Sequence, residues 1–218
     1  MTKLLLVRHG ESEFNHARRF AGFIDIGLTE EGCRQVEKLR ERLSGEKIDA
    51  VYSSDLKRAV RTAEIATEGR NLAITTCPEL REINYGDVDG LPFTEIKARF
   101  PDLAKQLSVS ELELEFPGGE TFTAFVNRVA TFKERLAKHS QSDTLLVVAH
   151  GGPLRALLCS MLGISQSSWW QLSVDNASLS IVETHSRGAV LCLLNETYHL
   201  KDLRKEAGTE KSEPGSSK

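Results

Sequence analysis

The stretch Leu4-Leu5-Leu6-Val7-Arg8-His9-Gly10-Glu11-Ser12 decides how this chain is read. Four apolar residues stop abruptly at an arginine and a histidine, the pattern of a strand buried on both faces that delivers its last side chains into a crevice. In open α/β sheets, ligands bind in that crevice, beyond the carboxyl ends of the strands. The residues at the break suit an anion. A histidine neutral near pH 7 can attack an electrophile through one ring nitrogen while the other donates its proton and fixes the tautomer. Arginine adds planar, permanently charged donors matched to phosphate oxygens, and Gly10 lets backbone come close to a ligand. Alone, the tripeptide fits equally well a strand end whose His and Arg are satisfied by neighbours.

Further along, the chain repeats the pattern. Thr144 to Ala149 reads as a fully buried strand, and His150-Gly151-Gly152-Pro153 turns it into a helix from Leu154 to Leu162, with Pro153 suited to a first helical position. Two such strand ends meet in one crevice only if their strands are neighbours, so the reading commits to that adjacency. Between them, Ile48 to Tyr52 is a second strand, and Ser53-Ser54-Asp55 caps a helix running to about Glu68. A helix N-terminus beside a strand end favours anions, which makes Arg58 a candidate second clamp and leaves Arg61 structural. Leu72 to Thr76 is a third strand, and the segment after Pro78 carries Glu79, Arg81 and Glu82, any of which composition alone would leave in solvent.

The rest of the chain frames these elements. Glu11 to Asp25, with Asn15, His16, Arg18, Arg19 and Gly22, reads as a loop at the mouth of the site that can begin with a helical turn, in which Arg18 and Arg19 are solvated charges. Thr29 caps a helix whose core stripe is Val36, Leu39 and Leu43. Residues 102–120 hold an acidic excess, and Glu111-Leu112-Glu113-Leu114-Glu115 alternates like an edge strand or covering loop. As a lid it would disfavour a second negative group on a ligand and offer Leu112, Leu114 and Phe116 to an apolar one. As a solvated flap it would do neither. Thr121 opens a long amphipathic helix with Phe122, Phe125, Val126, Val129, Phe132 and Leu136 on one face. Trp169-Trp170 packs on the core by default, and Ser178 to Glu183 with Val190 to Leu194 forms a hairpin closing one side of the sheet.

Composition bounds the function classes. A chain of 218 residues, 40% hydrophobic, suits one α/β domain over residues 1–200, followed by a charged, Gly/Ser-rich tail over 201–218 that reads as disordered. The expected architecture is a three-layer α/β/α sandwich, its central sheet mostly parallel with an antiparallel edge strand. A net charge of −3 supplies no basic field for nucleic acid or an anionic membrane surface. The four cysteines are scattered and pair into no Cys-x-x-Cys, as expected of small buried hydrophobes in a reducing compartment. No leader or membrane-length apolar run is visible, so a cytoplasmic protein is expected. No carboxylate cluster or Cys/His ligand set stands out, so neither metal nor cofactor is expected.

Leu6 to Ser12, continuing to Asn15, resembles the signature of the histidine phosphatase superfamily, also called phosphoglycerate mutase-like. The likeness continues in order through Ser53 to Ala59, Leu80 to Gly86, Phe116-Pro117-Gly118-Gly119-Glu120 and Val148 to Gly152. The resemblance implies two-step phosphoryl transfer to a small phosphate monoester through a phosphohistidine. His9 would be the nucleophile and Glu82 the general acid and base. Arg8, Arg58 and His150 would hold the non-bridging oxygens, with Asn15, Gly22 and Gly151 as substrate-binding residues. Mutases of the family carry additional basic residues after the catalytic Glu, whereas Ile83, Val88 and Phe93 stand here, which favours a hydrolase. The 116–120 and 176–178 segments and Leu194 to Leu200 look most similar to the α-ribazole phosphatase group, whose substrate is a cobalamin nucleotide-loop precursor. Its apolar base would suit Leu114, Phe116 or Trp169. Phosphoserine and sugar phosphates stay open as substrates, as does a homodimer. A non-catalytic phosphate-binding relative would be expected to lack a catalytic group, and none of the five is missing.

Overall fold

The computed structural model describes residues 1–109 and 114–203. In chain order the elements are β1 (Thr2–Arg8), α1 (Glu13–His16), α2 (Glu30–Arg42), β2 (Ala50–Ser53), α3 (Lys57–Ala66), β3 (Ile74–Thr76), α4 (Phe93–Arg99), α5 (Pro101–Val109), α6 (Phe122–Ala130), α7 (Lys133–Leu136), β4 (Thr144–Ala149), α8 (Gly151–Leu162), β5 (Leu179–His185) and β6 (Gly188–Glu196). The strands form one sheet in the order β3-β2-β4-β1-β5-β6. β1 to β4 run parallel, and β5 is antiparallel to both its neighbours. The expected sandwich with a mostly parallel sheet is therefore present, its hairpin forming the side beyond β1.

β1 lies at the centre because both its faces are apolar. Leu4 and Leu6 point into one core with Leu145, Val147, Phe122, Phe125 and Leu154, and Leu5 and Val7 into the other with Val36, Leu39, Ala59 and Ala63. All four β1 residues are at most 2% exposed, each contributing about 1.5–3 kcal/mol of burial. The register pairs Val7 with Val148 and Arg8 with Ala149, so the two predicted strand ends are adjacent.

Several local expectations are corrected. Ser53-Ser54-Asp55 does not cap α3: the N-cap is Leu56, without a side-chain cap bond, because Ser54 and Asp55 are engaged elsewhere. The long helix after Thr121 is broken into α6 and α7, with Thr131 and Phe132 between them. α8 begins at Gly151, so Pro153 is its third residue. Gly10 serves close packing against α2, since a Cβ there would lie 2.5 Å from the Gly32 carbonyl oxygen. Leu114 and Phe116 are buried in the core, and Phe116 packs edge-on against Tyr85 at 4.9 Å. Neither offers an apolar surface to a ligand. Trp169 is also core, edge-on to Phe122, as expected by default. The expected lid residues Glu111, Leu112 and Glu113, and the tail beyond Leu203, lie outside the described residues. Among the described residues no helix is long and apolar enough to cross a membrane.

Candidate active site

The ends of β1 and β4 bring two imidazoles together. The His9 N–H donates to the Ala149 carbonyl at 3.0 Å, extending the ladder one residue past β1, and the rings of His9 and His150 meet edge-on at 4.9 Å. Both are buried, at 2% and 1% exposure.

Their ring nitrogens are tethered differently. His9 Nδ1 lies 2.7 Å from the Gly10 carbonyl oxygen, which can only accept, so Nδ1 carries the proton and the lone pair sits on Nε2. Burial first, then Arg58 and Arg8, hold this imidazole well below its ordinary pKa, so it is neutral at pH 7. His150 is reversed: its Nε2 lies 2.9 Å from Ser54 Oγ, and Nδ1 is buried without a partner. Ser54 Oγ accepts the Leu56 N–H and keeps its own hydrogen for His150 Nε2, a pairing in which the ring proton sits on Nδ1. Burial, Arg58 and His9 likewise depress its pKa.

The arginines are restrained by backbone carbonyls. Arg8 gives Nη1 to the Val174 carbonyl at 2.7 Å and keeps a buried, unpartnered Nε. Arg58 is fully buried. It spends Nη1 on Ile24 and Nη2 on Ala21 and Gly22, holding the 21–24 loop in place, and also keeps an unpartnered Nε. Gly22 gives its N–H to Asp89 at 2.8 Å, so both its backbone groups are engaged within the protein. At the start of α8, Gly152 donates to Glu82 and Pro153 has no N–H, which leaves Gly151 as the open donor at the positive end of the helix.

The buried Glu82 carboxylate accepts the Ile83 N–H at 3.0 Å and the Gly152 N–H at 3.1 Å. A Cβ at 152 would fall 2.1 Å from Glu82 Oε1, so any larger residue there would displace this carboxylate. Asn15 accepts at Oδ1 from the Ser12 N–H and from Asn176 Nδ2, which turns its own NH2 group away as a donor. A cleft of about 260 Å³ opens over these groups. Arg8, His9 and Glu82 line its inner part, Asn15, Phe20 and Tyr85 its walls, and the exposed Arg18 and Arg19 its rim. Arg19 is tied to the Gly90 carbonyl, whereas Arg18 stands with a left-handed backbone at φ 52°. Among the described residues no group of three or more His, Cys, Asp and Glu side chains is placed to hold a metal ion.

Sequence reasoning missed several residues of this arrangement. Asn176 Nδ2 faces the carbonyls of His9 and Gly10 as well as Asn15, and the Ala177 N–H reaches the Arg8 and His9 carbonyls. The position of Ser54 after a strand suggests a cap, and nothing in the sequence around Arg128 sets it apart. Their roles join elements far apart in the chain and leave no periodic signal.

The chain matches the family model described as histidine phosphatase superfamily (branch 1) over residues 4–197. It is 37% identical to phosphoserine phosphatase 1 of Hydrogenobacter thermophilus, over 95% of this chain and 98% of that one. Its fold is similar to a putative α-ribazole-5′-P phosphatase of Escherichia coli, with a TM-score of 0.85 at 29% identity, covering 90% of this chain and 97% of that one. It is also similar to a phosphoserine phosphatase of Entamoeba histolytica solved with 3-phosphoglyceric acid, with a TM-score of 0.80 at 26% identity, covering 92% and 100% of the two chains. A profile match across most of the chain, joined to a fold that brings the two strand-end histidines together, establishes the protein as a member of the histidine phosphatase superfamily.

Proposed function

We propose that the protein is a phosphomonoesterase acting through a phosphohistidine on His9, and that its substrate is a small phosphate ester bearing a carboxylate, of the phosphoserine kind. The observation that carries the reaction is the set of unmatched groups around His9. Arg8 Nε, Arg58 Nε and His150 Nδ1 are buried donors without acceptors, an arrangement costing about 1–3 kcal/mol per group unless a ligand supplies the acceptors. A phosphoryl group supplies three.

In the first step the His9 Nε2 lone pair attacks phosphorus. The bond to the ester oxygen breaks with its electron pair, and protonated Glu82 gives that oxygen its proton, releasing the alcohol. In the second, Glu82 takes a proton from water as the water oxygen attacks phosphorus. The P–N bond returns its pair to Nε2, and inorganic phosphate leaves. The donors act by stabilising charge that builds up between these states.

The substrate class rests on the cleft lining. With Leu114, Phe116 and Trp169 in the core, Phe20 and Tyr85 are the apolar wall available to a leaving group, and Arg18 offers a cation at the rim once phosphate occupies the interior. The similarity to phosphoserine phosphatase 1 supports the same reading. The alternative, α-ribazole 5′-phosphate, is supported by the similarity to the Escherichia coli structure.

The test is a panel of phosphoserine, 3-phosphoglycerate, α-ribazole 5′-phosphate and p-nitrophenyl phosphate, with acid-labile phosphoprotein trapped during turnover. Arg18→Ala should raise KM for the two carboxylated esters about tenfold and leave p-nitrophenyl phosphate unchanged. A preference for α-ribazole 5′-phosphate, indifferent to Arg18, would replace the substrate reading. Turnover without a trapped phosphoenzyme would remove the mechanism.

A further inference from the structure

The segment from Cys77 to Leu91 that carries Glu82 contains no strand and no α-helix, only two short 3-10 turns, Pro78–Leu80 and Gly86–Val88. No ladder therefore fixes the backbone beneath the general acid. Backbone bonds tie its two ends, Cys77 to Ser53 and Asn84 and Asp87 to the 117–120 turn, and between them the guanidinium of Arg128 on α6 gathers the carbonyls next to Glu82. Its Nη1 donates to the carbonyls of Glu79 and Arg81, both at 3.0 Å, and its Nη2 to the carbonyl of Glu82 itself at 3.0 Å. The same group pairs in a fork with Glu120, Nη2 to Oε1 at 2.5 Å and Nε to Oε2 at 3.2 Å. Glu120 Oε1 then accepts the Asn84 N–H at 2.9 Å, on the far side of Glu82. The two side chains thus bracket residue 82, Arg128 holding the carbonyls up to it and Glu120 the N–H two residues beyond.

The guanidinium plane is held as well, lying 5.4 Å from the Phe125 ring centre and 5.7 Å from that of Phe23. Both charges of the pair are largely buried, with side-chain exposures of 22% and 16%. A planar fork suits this task because its donors diverge in fixed directions. A lysine ammonium is a compact point charge and cannot span three carbonyls and a carboxylate.

We propose that Arg128, locked by Glu120, is a positioning residue that sets where the Glu82 carboxyl meets the ester oxygen. The proposal rests on the reading of Glu82 as general acid. The tolerance is small, because the Glu82 carboxylate is also held by the Gly152 N–H at 3.1 Å and a misplacement of about 1 Å costs on the order of 100-fold in rate.

The test exploits leaving groups. p-Nitrophenolate departs without a proton, whereas an alkyl oxygen such as that of phosphoserine needs one. The measured quantity is kcat/KM, which reports steps up to phosphorylation of His9, for phosphoserine and p-nitrophenyl phosphate in Arg128→Ala, Arg128→Lys, Glu120→Gln and Glu82→Gln. Arg128→Ala should lose about 10- to 100-fold on phosphoserine and less than about threefold on p-nitrophenyl phosphate, with Arg128→Lys and Glu120→Gln showing smaller losses of the same selectivity. For p-nitrophenyl phosphate, kcat and KM should fall together in Arg128→Ala, because water attack on the phosphoenzyme also needs a placed Glu82. Should Arg128→Ala fail to fold, the lysine and glutamine variants carry the test, with thermal melting as the check.

Equal losses on both esters, or none on either, in folded variants overturn the proposal. If Glu82→Gln is itself unselective, the general-acid reading fails and the proposal with it. A selective Glu82→Gln beside an unselective Arg128→Ala sinks the positioning role alone.

Discussion

The ends of β1 and β4 are near copies in sequence, an apolar strand running into His-Gly, yet the structure gives their imidazoles opposite settings. His9 ties Nδ1 to the Gly10 carbonyl and presents a lone pair on Nε2, whereas His150 ties Nε2 to Ser54 and leaves Nδ1 unpartnered. One tether lies in the next residue and the other is 96 residues away in sequence. In the proposed mechanism a nucleophile and an oxyanion donor are thus made from the same side chain by choosing which nitrogen is held. Burial and shared arginines keep both rings neutral, which leaves a lone pair free on His9.

The contrast is sharpest in single replacements. His9→Ala should cost more than about 10³-fold in kcat and abolish the trapped phosphoprotein, since it removes the attacking atom. His150→Ala should cost on the order of 10²-fold while the phosphoprotein still forms, because only a donor to the transition state is lost. Phosphoprotein lost in His150→Ala and retained in His9→Ala would reverse the two roles.

The shared neutrality can be broken with pH. Below the ordinary histidine value of 6.5 the unfolded chain takes up protons that the folded rings refuse. The stability tied to this is full well above pH 6.5 and declines as pH falls below it toward the depressed folded values. Urea unfolding at pH 7.5 and 5.5 measures it. His150→Gln should roughly halve the decline, and a wild-type stability flat over this range would refute the neutral pair.

The smallest expected effect concerns the tether alone. Ser54→Ala frees His150 Nε2, lets the proton divide between the ring nitrogens, and should lower kcat by about fivefold with KM little changed. An unchanged kcat would mean that Ser54 does not set the tautomer.

Much of this site is legible in the chain because strand and helix periodicities arise from near neighbours. The run Leu4 to Val7, the run Thr144 to Ala149 and the stripe of α2 each announce a buried element, and the residue at the end of a strand falls where a crevice must be. Ser54 illustrates the limit. Its position after a strand made it look like a cap, while its hydroxyl answers to a histidine on another strand. Leu114 and Phe116 alternate like a surface segment and are buried because α6 and Tyr85 cover them.

The sequence by itself determined the chemical inventory: two imidazoles at the ends of apolar strands, two guanidinium groups and a carboxyl. Tertiary structure alone decided which nitrogen of each ring is free, that Arg58 also holds the 21–24 loop, and that Arg128 and Glu120 bracket the acid. Element type follows from patterns a few residues long. The state of a buried polar group depends on which partners reach it, and those come from distant parts of the chain.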